Sequence, residues 1–212
     1  MNGNGVWASI NNVLEWIMYA AYLNLLWILF TFVGLIIFGW MPATIAVYST
    51  WRRILRDKDR HVPIFKTFLE EYKTSFIKKN VAGFLILFGG ALIFLYFQFY
   101  QQTEGIINII YTGFMFVVIF TFLNIVIYLP PVMVHFKLKF FQNFRQAILL
   151  GLSSLSTTFL IYIMIFLAGV IVYYYPSLIL PFGFSALPLF IMKVCLIRFK
   201  MLDLYDNEGG SS

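Results

Sequence analysis

Lys193 stands inside an apolar run near the C-terminal end. An ionisable group at membrane depth is a functional hypothesis by default, since keeping it charged at the bilayer centre costs at least roughly 2.5 kcal/mol. Its plainer reading is that Arg198 and Lys200 lie within two turns, so the stem can reach back to the headgroups. A second group of polar side chains, Ser153, Ser154, Ser156, Thr157 and Thr158, could line a polar path. Small hydroxyls also let helices approach and bond across them. Glu15, near the start of the apolar region, reads as a solvated residue. His61 and His135 are the only two histidines, and neither has a partner at metal-ligand spacing. The single cysteine, Cys195, lies in an apolar run, so no disulfide and no cysteine-based metal site can form within the chain. No phosphate-binding glycine loop, GxSxG, HExxH or run of carboxylates within an apolar segment is found. The expectation is a protein without catalytic, cofactor or metal residues, and not an enzyme.

The elements that would position these groups are membrane spans. Of 212 residues, 61% are hydrophobic and 11% charged, against about 25% charged in a soluble domain. Aromatic residues make up 20%, which suits lipid-facing helices and interfacial belts. The chain therefore reads as all-α, a polytopic transmembrane bundle forming one domain over residues 1–208. Residues 209–212 read as a linker remnant. Five spans are expected, at about 22–38, 80–100, 106–129, 147–174 and 178–199, each with the reach to cross. Gly39 to Pro42 should break the helix after the first, and Pro42 suits the opening turn of the next. Ahead of the first span, Val6, Trp7, Ile10, Val13, Leu14 and Met18 recur at helical spacing, as an interfacial helix or the outer turns of the span. Residues 1–16 do not read as a removable signal peptide. Pro181 and Pro188 interrupt the fifth span, which could be continuous or broken.

The net charge of +6 comes from basic residues in short stretches between apolar runs. Lipid headgroups and a cytosolic partner are the expected counter-charges, rather than nucleic acid. Nine of the 15 Lys and Arg residues, including Lys58 and Arg60, lie between spans one and two; Lys137, Lys139 and Arg145 lie between three and four; Lys193, Arg198 and Lys200 lie in or after five. With five spans all three groups share one side. The positive-inside rule makes it cytoplasmic, with the N-terminus outside and the C-terminus inside. The outer connections, 101–105 and 176–181, are too short to form a ligand-binding domain.

Residues 42–79 form a cytoplasmic elbow. Within it, Ile64, Phe65, Phe68, Leu69, Tyr72 and Phe76 make one stripe of an amphipathic helix expected at the inner surface. Phe65, Phe68, Tyr72 and Phe76 are candidates for burying the elbow in lipid or a partner, and Arg52, Arg53 and Arg56 for phosphate or acidic contacts. Phe140, Phe141, Phe144 and Arg145 repeat the spacing of Phe68, Leu69, Tyr72 and Lys73, which is compatible with a parallel internal repeat of span, elbow and span.

Leu23-Asn24-Leu25-Leu26-Trp27, the Gly34 to Gly39 turn, Pro42-Ala43-Thr44 with Tyr48, and Pro63-Ile64-Phe65-Lys66-Thr67-Phe68 resemble the YesL-like family of small bacterial membrane proteins. Asn24, Trp27, Pro42, Thr44 and Tyr48 carry the signature over about the first 80 residues. The family is a domain of unknown function whose genes often lie beside ABC importers and hydrolases for plant-derived oligosaccharides. The resemblance therefore implies an auxiliary or regulatory membrane protein that contacts the membrane subunits of an ABC-type oligosaccharide importer in the bacterial cell membrane. It supplies no catalytic residues. The second expectation is a small autonomous transporter or channel, as a homo-oligomer, with the span-four hydroxyls and the broken fifth span forming its path.

Overall fold

A computed structural model describes the backbone of residues 3–56, 62–100, 105–136 and 138–209, and the side chains of these except 3–10, 99, 100, 107, 180 and 201–209. Lys58, Arg60, His61, Lys137, the connection 101–104, the side chains of Val6, Trp7 and Ile10, and the linker end 210–212 fall outside that description.

The described chain is helical: α1 (Gly3–Val33), α2 (Trp40–Arg56), α3 (Ile64–Lys73), α4 (Phe76–Tyr100), α5 (Ile106–His135), α6 (Phe140–Ser153), α7 (Leu155–Tyr174), a 3-10 turn (Pro176–Leu178), α8 (Ile179–Phe182) and α9 (Ala186–Gly209). Among the described residues four stretches, not the five expected, are long and apolar enough to cross a bilayer: Asn11–Val33, Phe76–Gln98, Asn108–His135 and Leu155–Tyr174; the segment expected over 178–199 is not one of them. Between 6% and 33% of each window is buried inside the chain, so most of their surface is left to lipid. The bundle is an all-α multi-pass membrane fold.

Several boundaries differ from those expected. The first span starts earlier and ends at Val33, because residues 34–39 form a tight turn. A Cβ on Gly34 would lie 2.7 Å from the Tyr72 hydroxyl, and one on Gly39 2.7 Å from the Phe30 carbonyl, so the two helices meet there only through glycine. Leu35 and Ile36 take positive φ of 55° and 64° to close the turn. The N-terminal stretch is continuous with α1 and is not a separate interfacial helix. The second span begins at Phe76, before Asn80. The third runs through Pro130 and Pro131 to His135, past the expected exit at Leu129. Neighbouring elements make such prolines tolerable, here α6 and α2 packed beside α5. The fourth span begins at Leu155; residues 147–153 belong to α6, which ends in a kink at Ser154.

The fifth segment is broken. The 3-10 turn and α8 carry Pro181, then residues 183–185 interrupt the helix before α9. Pro188 sits in the first turn of α9, where a missing N–H is harmless, and does not interrupt it.

Helix α1 and α2 form an antiparallel hairpin: Trp16 stacks on Trp51 at 5.9 Å, and the Trp27 indole donates to Thr44 Oγ1 at 3.0 Å. Antiparallel contacts also join α4 to α5, through Gly89 against Phe122 and Tyr96 against Tyr111, and α5 to α7, through Phe120 against Tyr162. One core cluster is built by α1, α2 and α3 around Leu23, Phe30, Trp51 and Phe68; the other centres on Ile45, Leu129, Val132 and Met192 of α2, α5 and α9.

Helix α6 packs along α5 instead of lying alone at the surface, with Gly151 closing on Asn124. The order of a helix, a short amphipathic helix packed against it, a break at a serine (Ser75 or Ser154) and a long apolar helix occurs twice. The paired side chains are not buried alike: Leu69 is half-buried whereas Phe141 is 79% exposed.

Candidate functional site

Two buried polar residues, Asn24 and Ser185, meet at the break at 183–185. A broken helix leaves backbone groups that lipid cannot satisfy, so they must find partners inside the protein. Phe184 N–H donates to Asn24 Oδ1 at 2.8 Å, and Asn24 Nδ2 donates to the Ile179 carbonyl at 3.3 Å. Ser185 Oγ donates to the Ala20 carbonyl at 2.6 Å, and the Trp51 indole donates to the Ser185 carbonyl at 2.9 Å. Asn24, Ser185 and Trp51 are fully buried. Trp27 stacks on Phe184 with centroids 3.9 Å apart while its indole holds Thr44, whose hydroxyl donates to the Trp40 carbonyl at 2.7 Å. Pro42, in the first turn of α2, and Tyr48 are buried in the same helix. Four of the five signature residues thus lie on the α1–α2 hairpin where it clasps the break or just beside it, and Tyr48 packs onto α9 below. The clasp is a joint made of hydrogen bonds, with its polar groups turned onto each other.

The second polar centre is the C-terminal end of α2. Arg52 donates to the Val134 carbonyl at 3.1 Å, meeting one of the last carbonyls of α5, where a cation also suits the helix dipole. Burial, followed by the neighbouring Arg56, lowers its pKa from the usual arginine range, with Glu71 opposing and Arg53 adding to the effect; it stays protonated. Arg53 donates to Thr67 Oγ1 at 3.0 Å, and Arg56 is exposed. Glu71 accepts from Lys79 at 2.8 Å and from Ser49 at 3.2 Å. The Lys79 ammonium also reaches the Glu71 carbonyl. Lys79 is 4% exposed and Glu71 29%, so this is a largely buried pair.

The aromatic stripe of α3 is placed differently from its expected role. Phe68 and Tyr72 are buried in the chain's own core, with Phe30 packed against both at 5.2 and 4.9 Å, and so they offer nothing to lipid or partner. Burial also pushes the Tyr72 hydroxyl, which donates to the Phe30 carbonyl, above the usual phenol range. Phe76 is half-buried, and Phe65 alone of the four is substantially exposed, at 48%.

The span-four hydroxyls divide in the same way. Ser154 donates to Thr157 at 2.9 Å, Thr158 donates to the Gly151 carbonyl at 2.9 Å, and the Tyr128 hydroxyl bonds Thr158 at 2.8 Å. They satisfy the kink between α6 and α7. Ser153 bonds back to Leu150, and Ser156 faces outward. Lys193 is exposed on α9 and Cys195 is buried there.

Open clefts lie along the described helices, two of them between neighbouring elements. One of about 450 Å³ lies between α4 and α5 by Gly89, Tyr96 and Phe122; the other, about 510 Å³, lies between α7, α8 and α9 by Gly169, Phe182 and Phe190. Both are walled by apolar side chains. Ser185, Glu71 and Lys79 were not singled out from sequence. Glu71 and Lys79 lie eight residues apart on either side of the break between α3 and α4, a spacing that no helical pairing rule flags, and Ser185 has no signal either.

The family model described as "Protein of unknown function, DUF624" matches residues 20–99, which hold the later part of α1, all of α2 and α3 and nearly all of α4. Three Bacillus subtilis (strain 168) proteins are similar. Uncharacterized protein YteU is 32% identical over 173 residues, covering 78% of this chain and 77% of that protein. Uncharacterized protein YesV is 30% identical over 206 residues, 92% and 94% of the two chains, and uncharacterized protein YesL 27% over 202, 92% and 91%. No solved structure matches. With a family model matching residues 20–99 and relatives aligned over most of its length, the chain belongs to the DUF624 family of proteins of unknown function.

Proposed function

We propose that this protein is a non-catalytic auxiliary membrane subunit that docks beside an ABC-type oligosaccharide importer and modulates its assembly or activity. One observation carries the docking part: the polar side chains at the clasp and the α6–α7 kink bond chiefly to the chain's own backbone, while the outward surface is apolar with a basic end. A protein built this way acts through its surface. The importer as partner rests on the resemblance of the α1–α2 region. The orientation that goes with it puts the basic end and C-terminus in the cytoplasm and the N-terminus outside, in keeping with the grouping of Lys and Arg.

The test is photocrosslinking in native membranes from Phe65 and from Phe141, the exposed aromatics of α3 and α6. Capture of an ABC permease subunit at either position supports the reading; capture of only lipid or a second copy at both removes it. The transporter reading has one feature in its favour, the discontinuous fifth segment, since broken helices build substrate sites in many transporters. It predicts flux in proteoliposomes holding this protein alone.

A further inference from the structure

The C-terminal end of α2 gathers more positive charge than the described residues neutralise. Arg53 and Arg56, three residues apart and therefore on one face, are both exposed. Arg52 points inward to the Val134 carbonyl, and its Nε is buried without a partner. The nearby carboxylate, Glu71, is already engaged by Lys79 and Ser49. Arg53 has the neutral Thr67 hydroxyl, and Arg56 has no ion pair among the described residues. In sequence, Arg52, Arg53, Arg56, Lys58 and Arg60 face only Asp57 and Asp59 over residues 52–60. The segment keeps a surplus of basic charge even with both aspartates counted.

The surroundings indicate which anion fits. Thr67 ties Arg53 to α3, whose outward side carries Phe65, 48% exposed, beside the exposed Lys66. At the start of α4, Ile77 is 77% exposed beside the exposed Lys78. Guanidinium groups next to outward apolar side chains match a phosphate joined to acyl chains better than a free ion or an acidic peptide. We propose that Arg53 and Arg56 hold the phosphate of an anionic phospholipid at this end of the bundle. Arg52 is the anchor that fixes α2 against α5 and so positions the pair. The inference stands apart from the importer reading, since it concerns this chain and lipid alone.

The experiment uses the full chain, delipidated in detergent and offered an equimolar mixture of phosphatidylglycerol and phosphatidylcholine, with bound lipid counted by native mass spectrometry. The wild type should retain phosphatidylglycerol preferentially. R53Q/R56Q should lower that preference about 30-fold, from about five-fold for each basic residue at a membrane surface. K139Q/R145Q, at the other basic elbow, should leave it largely intact. Protection of the buried Cys195 thiol reports that each variant is folded. Unchanged preference in R53Q/R56Q, or an equal loss in K139Q/R145Q, overturns the site. Displacement of the lipid by millimolar inorganic phosphate, or by an acidic peptide, overturns the lipid as its occupant.

Discussion

Replacing Asn24 by alanine should loosen the fifth segment more than any nearby change of similar size. Asn24 Oδ1 is the acceptor for Phe184 N–H at 2.8 Å, and its Nδ2 adds a longer bond to the Ile179 carbonyl. That carbonyl keeps a second partner, Gly183 N–H at 2.9 Å, so alanine leaves one backbone donor unsatisfied and one acceptor half-satisfied. A stranded buried donor costs about 1–3 kcal/mol, and the longer bond adds about 0.6, the average for side-chain bonds measured between membrane helices. Alanine is the best helix former, so α1 itself gains no penalty. The expected loss is about 2–4 kcal/mol, a fall of about 4–16 °C in Tm for a chain of this length. Cys195, the single cysteine, is buried in α9 a few turns beyond the break, so a thiol-reactive fluorophore reads the opening of this segment directly. Leu25→Ala, at a position 60% exposed to lipid, is the control and should shift the curve far less. Coincident labelling curves for Asn24→Ala and wild type would refute the clasp.

Three further outcomes follow from the same geometry. Glu71→Gln removes the counter-charge of the nearly buried Lys79 ammonium and should cost about 3 kcal/mol, the low end for breaking a buried pair because Glu71 keeps some water and Lys79 keeps the Glu71 carbonyl, whereas Glu71→Leu/Lys79→Met should unfold close to wild type. Trp27→Phe keeps the stack on Phe184 but deletes the bond to Thr44, so the thermal curve should fall by about 1 kcal/mol, and less than for Trp27→Ala. In intact cells, Tyr174→Cys, 71% exposed at the end of α7, should label with a membrane-impermeant thiol reagent, and Lys78→Cys only after permeabilisation; the reverse pattern would invert the proposed orientation.

What sequence revealed and what it hid divide along a physical line. Four of the five expected crossings were legible because each is a local property, an apolar run of sufficient length, whereas the run over 178–199 is broken and falls short of one; the break before Pro42 was legible too, where glycine and proline punctuate the helix. The amphipathic periods of α3 and α6 were legible too, but not what they face. A stripe of Phe68 and Tyr72 has the same spacing whether it meets headgroups or Phe30, and here the partner lies more than 30 residues earlier. The role of Asn24 was hidden for the same reason, since its partners are 155 and 160 residues away. The kink at Ser154 was concealed by hydroxyls that read equally as a path, as packing, or as local caps.

The clasp also bears on whether the fifth segment could work as a gate. Moving α8 and α9 away from α1 and α2 would break four bonds at once: Asn24 to Ile179, Phe184 to Asn24, Ser185 to Ala20 and Trp51 to Ser185. At about 0.6–1 kcal/mol each, the open state lies about 2–4 kcal/mol above the closed one and is roughly 0.1–3% populated without help. The Trp27–Phe184 stack would part as well and lower that figure further. A transporter turning over alone would have to draw the opening energy from its substrate, yet the polar groups at the break are occupied by one another. A docked partner has larger resources: a protein surface that bound the open form about 100-fold more tightly would gain about 2.7 kcal/mol and bring the segment within reach of both states. The same joint that argues against solitary transport would therefore let this protein respond to an importer.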